Sequence, residues 1–206
     1  MSVAGMMTPL RSASYDNLQL NAGAFLVGFD WTQYSTATAL RTAALAALAN
    51  AENTLGVTRG GGSFVVNQET RQAEVDGVRY RFVGDTFVDS VDAQLTTTLL
   101  EVTPGNIKRI LGAIDLDTTT ATKTVATMRT RIADTDYIEN LCWVGDLADG
   151  RLVLIGFKNA LNTAGMNLTF TDKGEATMPV EFHAFQADVE DYDVAPFEVV
   201  FFEDAT

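Results

Sequence analysis

The sequence predicts a mainly β chain: an antiparallel β-sandwich or barrel-like domain with one flanking α-helix near 103–114 and an extra alanine-rich helix near 38–53. Three observations carry that expectation. Residues 140–185 read as four strands in a row, 141–147, 151–157, 164–172 and 175–185, with apolar side chains recurring at every second position. Residues 87–101 alternate in the same way over a much longer run. An Asp-Gly pair at Asp149-Gly150 sits between the first two strands, where a tight hairpin turn favours residues that tolerate positive φ. A meander of this kind is an antiparallel sheet with one face meant for a core.

In chain order, residues 1–20 show little periodicity and are expected to form an extended arm, ordered against a neighbour. Residues 22–29 predict a short apolar strand. Residues 32–53 change character: Leu40, Ala44, Ala47, Leu48 and Ala51 recur at helical spacing in a run of alanine, the best helix former. The stripe is narrow and made of small side chains, which suits a helix on a surface or against another subunit. Arg59-Gly60-Gly61-Gly62-Ser63 lacks the Gly-Lys-Ser/Thr of a phosphate loop and precedes a strand pattern, so it predicts flexible glycines ahead of a strand.

Residues 63–70 alternate as a strand. Residues 71–75 and 78–82 flank a second Asp-Gly turn at Asp76-Gly77. This ribbon, 63–82, is rich in Arg, Glu and Gln and is expected to project toward a partner. In the long strand 87–101, Phe87, Val91, Ala93, Leu95, Thr97 and Leu99 are expected on one face, with Val88, Ser90, Asp92, Gln94, Thr96 and Thr98 on the other. Thr103 and Pro104 open a helix whose Ile107, Ile110, Leu111 and Ile114 make an apolar stripe. That helix is the one expected to pack on the sheets. Residues 115–123 read as a threonine-rich loop. Residues 125–132 read as a strand, with Ala126, Met128 and Ile132 inward and Arg129 and Arg131 outward. An acidic loop at 188–193 lacks the glycine and glutamate of a calcium loop, and 197–202 closes the chain as a strand.

Composition excludes several functions. Fourteen Lys and Arg against 27 Asp and Glu give a net charge of −13, the wrong sign for a protein that grips nucleic acid through counterion release. One cysteine, Cys142, rules out an internal disulfide framework and reads as a small buried hydrophobe. The single histidine, His183, sits on the polar face of a strand and reads as a surface or interface residue. No cluster of metal ligands is apparent, and no cofactor is expected. The N-terminus shows no signal-peptide pattern and no run of about 20 apolar residues spans a bilayer, so the chain is expected to be intracellular when made, with no membrane partner.

Taken together, the pieces resemble the tail tube (major tail) proteins of long-tailed bacteriophages, especially those with non-contractile tails. The matching pieces are Leu20-Asn21-Ala22-Gly23-Ala24-Phe25 with Phe29-Asp30, Thr58-Arg59-Gly60-Gly61 followed by Phe64, and Val75-Asp76-Gly77. They continue with Thr97-Thr98-Leu99-Leu100-Glu101-Val102-Thr103, Asp136-Tyr137-Ile138-Glu139-Asn140-Leu141, Trp143-Val144-Gly145 and Asn159-Ala160-Leu161. Asp172-Lys173-Gly174-Glu175-Ala176 and Ala195-Pro196-Phe197-Glu198 complete them. The helix near 38–53 has no counterpart in that pattern. The resemblance implies one tail-tube domain over 1–206, no catalytic site, and a virion protein made in the host cytoplasm. Its copies would form sixfold rings stacked into a tube through which double-stranded DNA leaves the capsid. Other tail proteins, the tape measure, the tail terminator and the distal tail protein, would be its neighbours.

On that basis the polar face of the long strand, Asp92, Gln94, Thr96 and Thr98, is expected to line the bore. An acidic wall gives DNA no sites to stick to, and its field reaches only about 8 Å at physiological salt. Subunit or ring contacts are expected at Tyr15, Leu18, Leu40, Leu48, Arg59, Arg79 and Arg81, with segment 32–62 projecting between rings and sheets continuing between subunits to cover open edges. The competing readings are a monomeric β-sandwich binding or decoration module of a phage particle, a tube protein of a contractile injection system, and an acid–base hydrolase using Asp134, Asp136 or Glu139.

Overall fold

The structure, a computed structural model, describes residues 20–203 except Ala22, Val75, Val78, Ala121 and Tyr192, and leaves the Asp191 side chain undescribed. The expected arm 1–20, with Tyr15 and Leu18, lies outside the described residues save for Leu20. The chain is mainly β, with its sheet antiparallel and sandwich-like.

The centre is a pair of strands apolar on both faces, β6 (Ile138–Asp146) and β7 (Leu152–Asn162). Alternation sends Leu141, Trp143, Val153, Ile155 and Phe157 into one hydrophobic cluster and Cys142, Val144, Leu152 and Leu154 into another. These strands therefore form a shared middle layer with a core on each side. β1 (Ala24–Leu26) adds to the free edge of β6 and splits likewise, Phe25 to the first cluster and Leu26 to the second. β9 (Phe197–Phe201) pairs with the start of β7, and β8 (Met178–Phe185) pairs with its end. β8 continues onto β3 (Thr86–Leu99), and β3 onto β2 (Thr58–Gln72), giving the order β1-β6-β7-β8-β3-β2. The sheet folds back so that Leu95 and Leu99 of β3 and Val180 and Phe182 of β8 share the first cluster with Phe25 of β1.

Helix α2 (Pro104–Leu111) closes this core. Thr103 Oγ1 accepts from Asn106 N–H at 3.1 Å, Pro104 sits in the first turn where no donor is needed, and Ile110 is buried. Buried Asn106 donates to the carbonyls of Leu55 and Glu101, both at 3.1 Å, and so ties the start of β2 to the helix. Arg109 reinforces the tie through the carbonyls of Thr54 and Glu52.

Segment 32–62 does not project; this corrects the expectation. Helix α1 (Ala37–Leu48), capped by Thr36 Oγ1, lies on the outer face of the middle layer. Its small residues Ala37 and Ala44 permit close approach, and Leu40 is fully buried with Trp31, Cys142, Leu154 and Phe202. Trp31 lies flat against Gly156, where a Cβ would come within 2.5 Å of the indole, and its Nε1 donates to Glu198 at 3.0 Å. Both helices, not α2 alone, pack on the sheet. The glycines Gly60 and Gly61, expected before a strand, lie inside β2: they form a bulge with φ of 77° and 74° between the Arg59↔Thr98 and Gly62↔Thr97 pairs.

Other expectations also change. Residues 164–172 make no strand; a single bridge, Thr169↔Thr177, closes a small loop on which Phe170 is 81% exposed, because β8 pairs directly with the extended end of β7. Asp149-Gly150 is not a two-residue type I′ turn. Only Gly150 of the two has positive φ (88°), and Gly150 N–H bonds the Leu147 carbonyl, as in a three-residue loop with a bulge. The loop expected at 115–123 is half of a hairpin, β4 (Ile114–Thr120) with β5 (Lys123–Met128), since threonine is β-branched and favours extended backbone. Ala126 and Met128 are exposed rather than inward, Ile132 is 43% exposed, and Arg129 turns inward to a buried Asp136.

Candidate functional site

The β2–β3 hairpin stands out as the part that a lone chain leaves least satisfied. At its base β3 is two-faced. Ala93, Leu95, Thr97 and Leu99 are buried, and Asp92, Gln94, Thr96 and Thr98 lie together on the opposite, half-exposed face. Register puts Ser63 and Glu181 on either side of Thr96, and Val65 and His183 on either side of Gln94.

These neighbours build a polar cluster. The His183 ring lies between two carboxylates, Nδ1 2.8 Å from Asp92 Oδ1 and Nε2 3.1 Å from Glu181 Oε1. Gln94 Nε2 donates to the other Asp92 oxygen at 2.8 Å, and the Ser63 and Thr96 hydroxyls share a 2.6 Å bond. A neutral imidazole has one N–H and can donate to only one of the two acids; both are served only by the doubly protonated ring. The hydrogen bond from His183 holds the Asp92 carboxyl below its ordinary range, against the opposing effect of burial. Sequence reading saw a lone surface histidine here. The acids come from β3 and from two positions earlier on β8, and only the β3–β8 register brings Asp92 across to it.

Beyond this base the hairpin becomes an arm. From Val65 to Arg71 on β2 and from Thr86 to Val91 on β3 the described residues are exposed. Phe87 and Val91, expected inward, are 47% and 46% exposed. Arg71 stiffens this part by bonding Asp89 at 2.8 Å and lying 5.0 Å over the Phe87 ring. The hairpin expected at 71–82 is instead the connection 73–85, closed by an Ala73 N–H bond to the Asp85 carbonyl. At its tip Tyr80 is 81% exposed, Phe82 63% and Val83 fully so, with exposed Arg79 and Arg81 flanking Tyr80.

The remaining expected contact residues divide. Leu40 is consumed by the second core and presents nothing to a partner, which corrects its assignment. Leu48 is 38% exposed beside Leu45, on the outer side of α1. Arg59 reaches Glu175 at 2.6 Å on the surface. Of the acids weighed for hydrolysis, Asp136 is buried in its pair with Arg129, and Asp134 and Glu139 are exposed. Cys142 is fully buried and burial pushes its thiol up, so it stays a thiol. Among the described residues no group of three or more His, Cys, Asp or Glu could hold a metal ion, and no helix is long and apolar enough to cross a membrane.

The base of the hairpin also borders a groove of about 490 Å³, where the two ends of the folded sheet approach each other. Its lining includes Leu20, Phe25, Phe64, Leu95, Trp143 and Ile155, with the glycine bulge at one lip. No protein-family model matches the chain, and no curated protein matches it.

Proposed function

We propose that this chain is a structural, self-assembling subunit: a tail tube protein of a long-tailed phage, whose copies form sixfold rings stacked into a conduit for double-stranded DNA. The observation that carries the reading is the β2–β3 arm, a long hairpin whose described residues are exposed or half-buried and which exposes aromatic and aliphatic side chains at its end. Apolar surface of that kind marks an interaction site. The outer edge of β2 has no strand partner among the described residues, so the sheet is also open to continuation by another copy. Non-contractile tail, tape-measure and terminator neighbours follow from the sequence resemblance alone. Electron microscopy and sedimentation of the purified chain at rising concentration test the reading: rings or tubes are expected, and a compact monomer at every concentration overturns it in favour of a binding or decoration module.

In an assembled particle the face bearing Asp92, Gln94, Thr96 and Thr98 is assigned to the bore. Asp92→Lys removes the partner of His183 and replaces a carboxylate with a cation on that face. DNA release from such particles is expected to slow several-fold, while Asp92→Asn, which removes the carboxylate without adding a cation, releases at nearly the normal rate. Unchanged release by Asp92→Lys particles places this face elsewhere.

A further inference from the structure

We infer that Asp76-Gly77, in the connection at the end of the β2–β3 hairpin, is a site of spontaneous main-chain modification in the free subunit, where Asp76 converts through a cyclic imide to isoaspartate. The inference goes beyond the self-assembly reading and does not depend on it. Asp-Gly occurs twice in the chain, at Asp76-Gly77 and at Asp149-Gly150. This dipeptide is open to the reaction because glycine puts no Cβ beside the attacking nitrogen. The Gly77 nitrogen attacks the Asp76 side-chain carboxyl carbon, a C–N bond forms and one water leaves. Water then reopens the imide ring. Where it breaks the bond between that nitrogen and the original main-chain carbonyl carbon, the chain runs on through Asp76 Cβ and Cγ, and the old carbonyl becomes a free carboxylate. Only water is lost and regained, nothing is oxidised or reduced, and the net charge is unchanged.

The fold treats the two sites differently. Asp76 and Gly77 are exposed in a turn, Gly77 has a φ of 83°, and nothing lies within 4 Å of where its Cβ would stand. Among the described residues none bonds the Asp76 carboxylate, and none accepts the Gly77 N–H. Both reacting groups are therefore free to turn toward each other, as at other exposed loop tips. Asp149-Gly150 is held instead. Asp149 Oδ1 accepts from Arg151 N–H at 3.0 Å, and Arg151 Nε donates to Oδ2 at 2.5 Å. Gly150 N–H donates to the Leu147 carbonyl at 3.0 Å, which keeps the attacking nitrogen engaged. The Arg151 backbone and side chain also hold the Asp149 carboxyl below its ordinary range, so the neutral acid, the form that can lose water, is scarce there.

Ageing the dilute purified chain at mildly acidic pH, followed by tryptic mapping, tests this. Cleavage at Arg71 and Arg79 isolates Asp76 in peptide 72–79, and cleavage at Arg131 and Arg151 isolates Asp149 in peptide 132–151. Isoaspartate has the mass of aspartate, so it is read by enzymatic methylation of the isoaspartyl carboxylate and placed by electron-transfer fragmentation. In the folded chain isoaspartate is expected to accumulate several-fold faster at Asp76 than at Asp149. In chain unfolded in guanidinium chloride the two are expected to age at similar rates, because the dipeptide is the same and the fold no longer protects one of them. Asp76→Glu, which would need a larger and less readily closed ring, is expected to lose the signal from 72–79. Equal rates in the folded chain, faster ageing at Asp149, or a contrast that persists in guanidinium overturns the assignment. None of these outcomes bears on whether the chain forms rings or tubes.

Discussion

Excising the arm is expected to leave a folded protein that no longer assembles. The cut is best made at the regular pair Gln68↔Val91, which lies on the body side of the register shift between Glu69 and Thr70. Removing residues 69–90 and joining Gln68 to Val91 through Asn-Gly gives a two-residue hairpin with the turn chemistry it needs. Every described residue removed is exposed or half-buried, and none belongs to either hydrophobic cluster. The thermal midpoint should therefore stay within a few degrees. Assembly should not survive. Burying Tyr80, Phe82 and Val83 contributes about 1.5–3 kcal/mol each before the cost of ordering. Even half of that total, lost at each contact, raises the concentration needed for assembly by about fortyfold to a thousandfold. Sedimentation velocity beside a melting curve separates the outcomes. Tubes at the usual concentration would remove the arm from the assembly mechanism; a large fall in midpoint would show that the arm holds the fold.

Where the sequence was legible, the physics was local. β6 and β7 announce themselves because a strand buried on both faces must be apolar at successive positions, as Leu141-Cys142-Trp143-Val144 and Leu152-Val153-Leu154-Ile155 are. Helix α2 is legible from its cap, its proline and its stripe. The base of β3 is legible because one face is buried and the other is not. The failures share a different cause. Residues 164–172 have the same alternation as a strand, but alternation does not supply a neighbour, and β7 offered its edge to β8 instead. The threonines of 118–120 read as loop beside the breakers Asp115 and Asp117, although β-branching favours the strand they form. Helix α1 has a stripe so narrow that it looked superficial. One leucine, Leu40, set between alanines was enough, because a groove over the middle layer was waiting for it.

The candidate site divides along the same line. The two-faced pattern of β3 could be read directly, and so could the presence of Arg79 and Arg81 on a projecting ribbon. The cluster of Asp92, His183 and Glu181 could not, because the 91-residue separation of Asp92 and His183 is closed only by the β3–β8 register. The apolar character of the tip was masked by its arginines, which made Tyr80, Phe82 and Val83 look like punctuation in a polar stretch. The groove is built from β1, β2, β3, β6 and β7 at once, and no stretch of sequence contains it.

Asp136→Ala should be among the most destabilising substitutions that leave the hydrophobic clusters untouched. The Asp136 side chain is 2% exposed. Its Oδ1 lies 2.5 Å from Arg129 Nη2, and its Oδ2 accepts from Ala133 N–H at 2.7 Å. Arg129 Nε also lies 3.0 Å from Asp115 Oδ1, in ion-pair range though not aligned as a hydrogen bond. Arg129 follows β5, Asp115 is on β4 and Asp136 precedes β6, so this group fastens the β4–β5 hairpin to the body. Truncating one partner of a buried pair costs about 3–5 kcal/mol. The lower end applies, because Arg129 keeps 31% of its side chain in water and can rehydrate. At roughly 2–4 °C per kcal/mol for a chain of this size, the midpoint should fall by about 6–12 °C at neutral pH. Asp115→Ala, at a carboxylate 69% exposed, should cost less than about 1 kcal/mol. The pH dependence separates a lost carboxylate from simple misfolding. Burial alone would push the Asp136 carboxyl up, but the Ala133 N–H and Arg129 together hold it below its ordinary value. A depressed carboxylate stabilises the fold above the unfolded-state value, near pH 4, and that contribution is lost as pH falls through the folded-state value. The gap between wild type and Asp136→Ala should therefore be full at pH 7 and narrow progressively below about pH 4. A gap that stays constant down to pH 2 would mean the variant fails through packing, and that the Arg129–Asp136 pair is not what holds the hairpin.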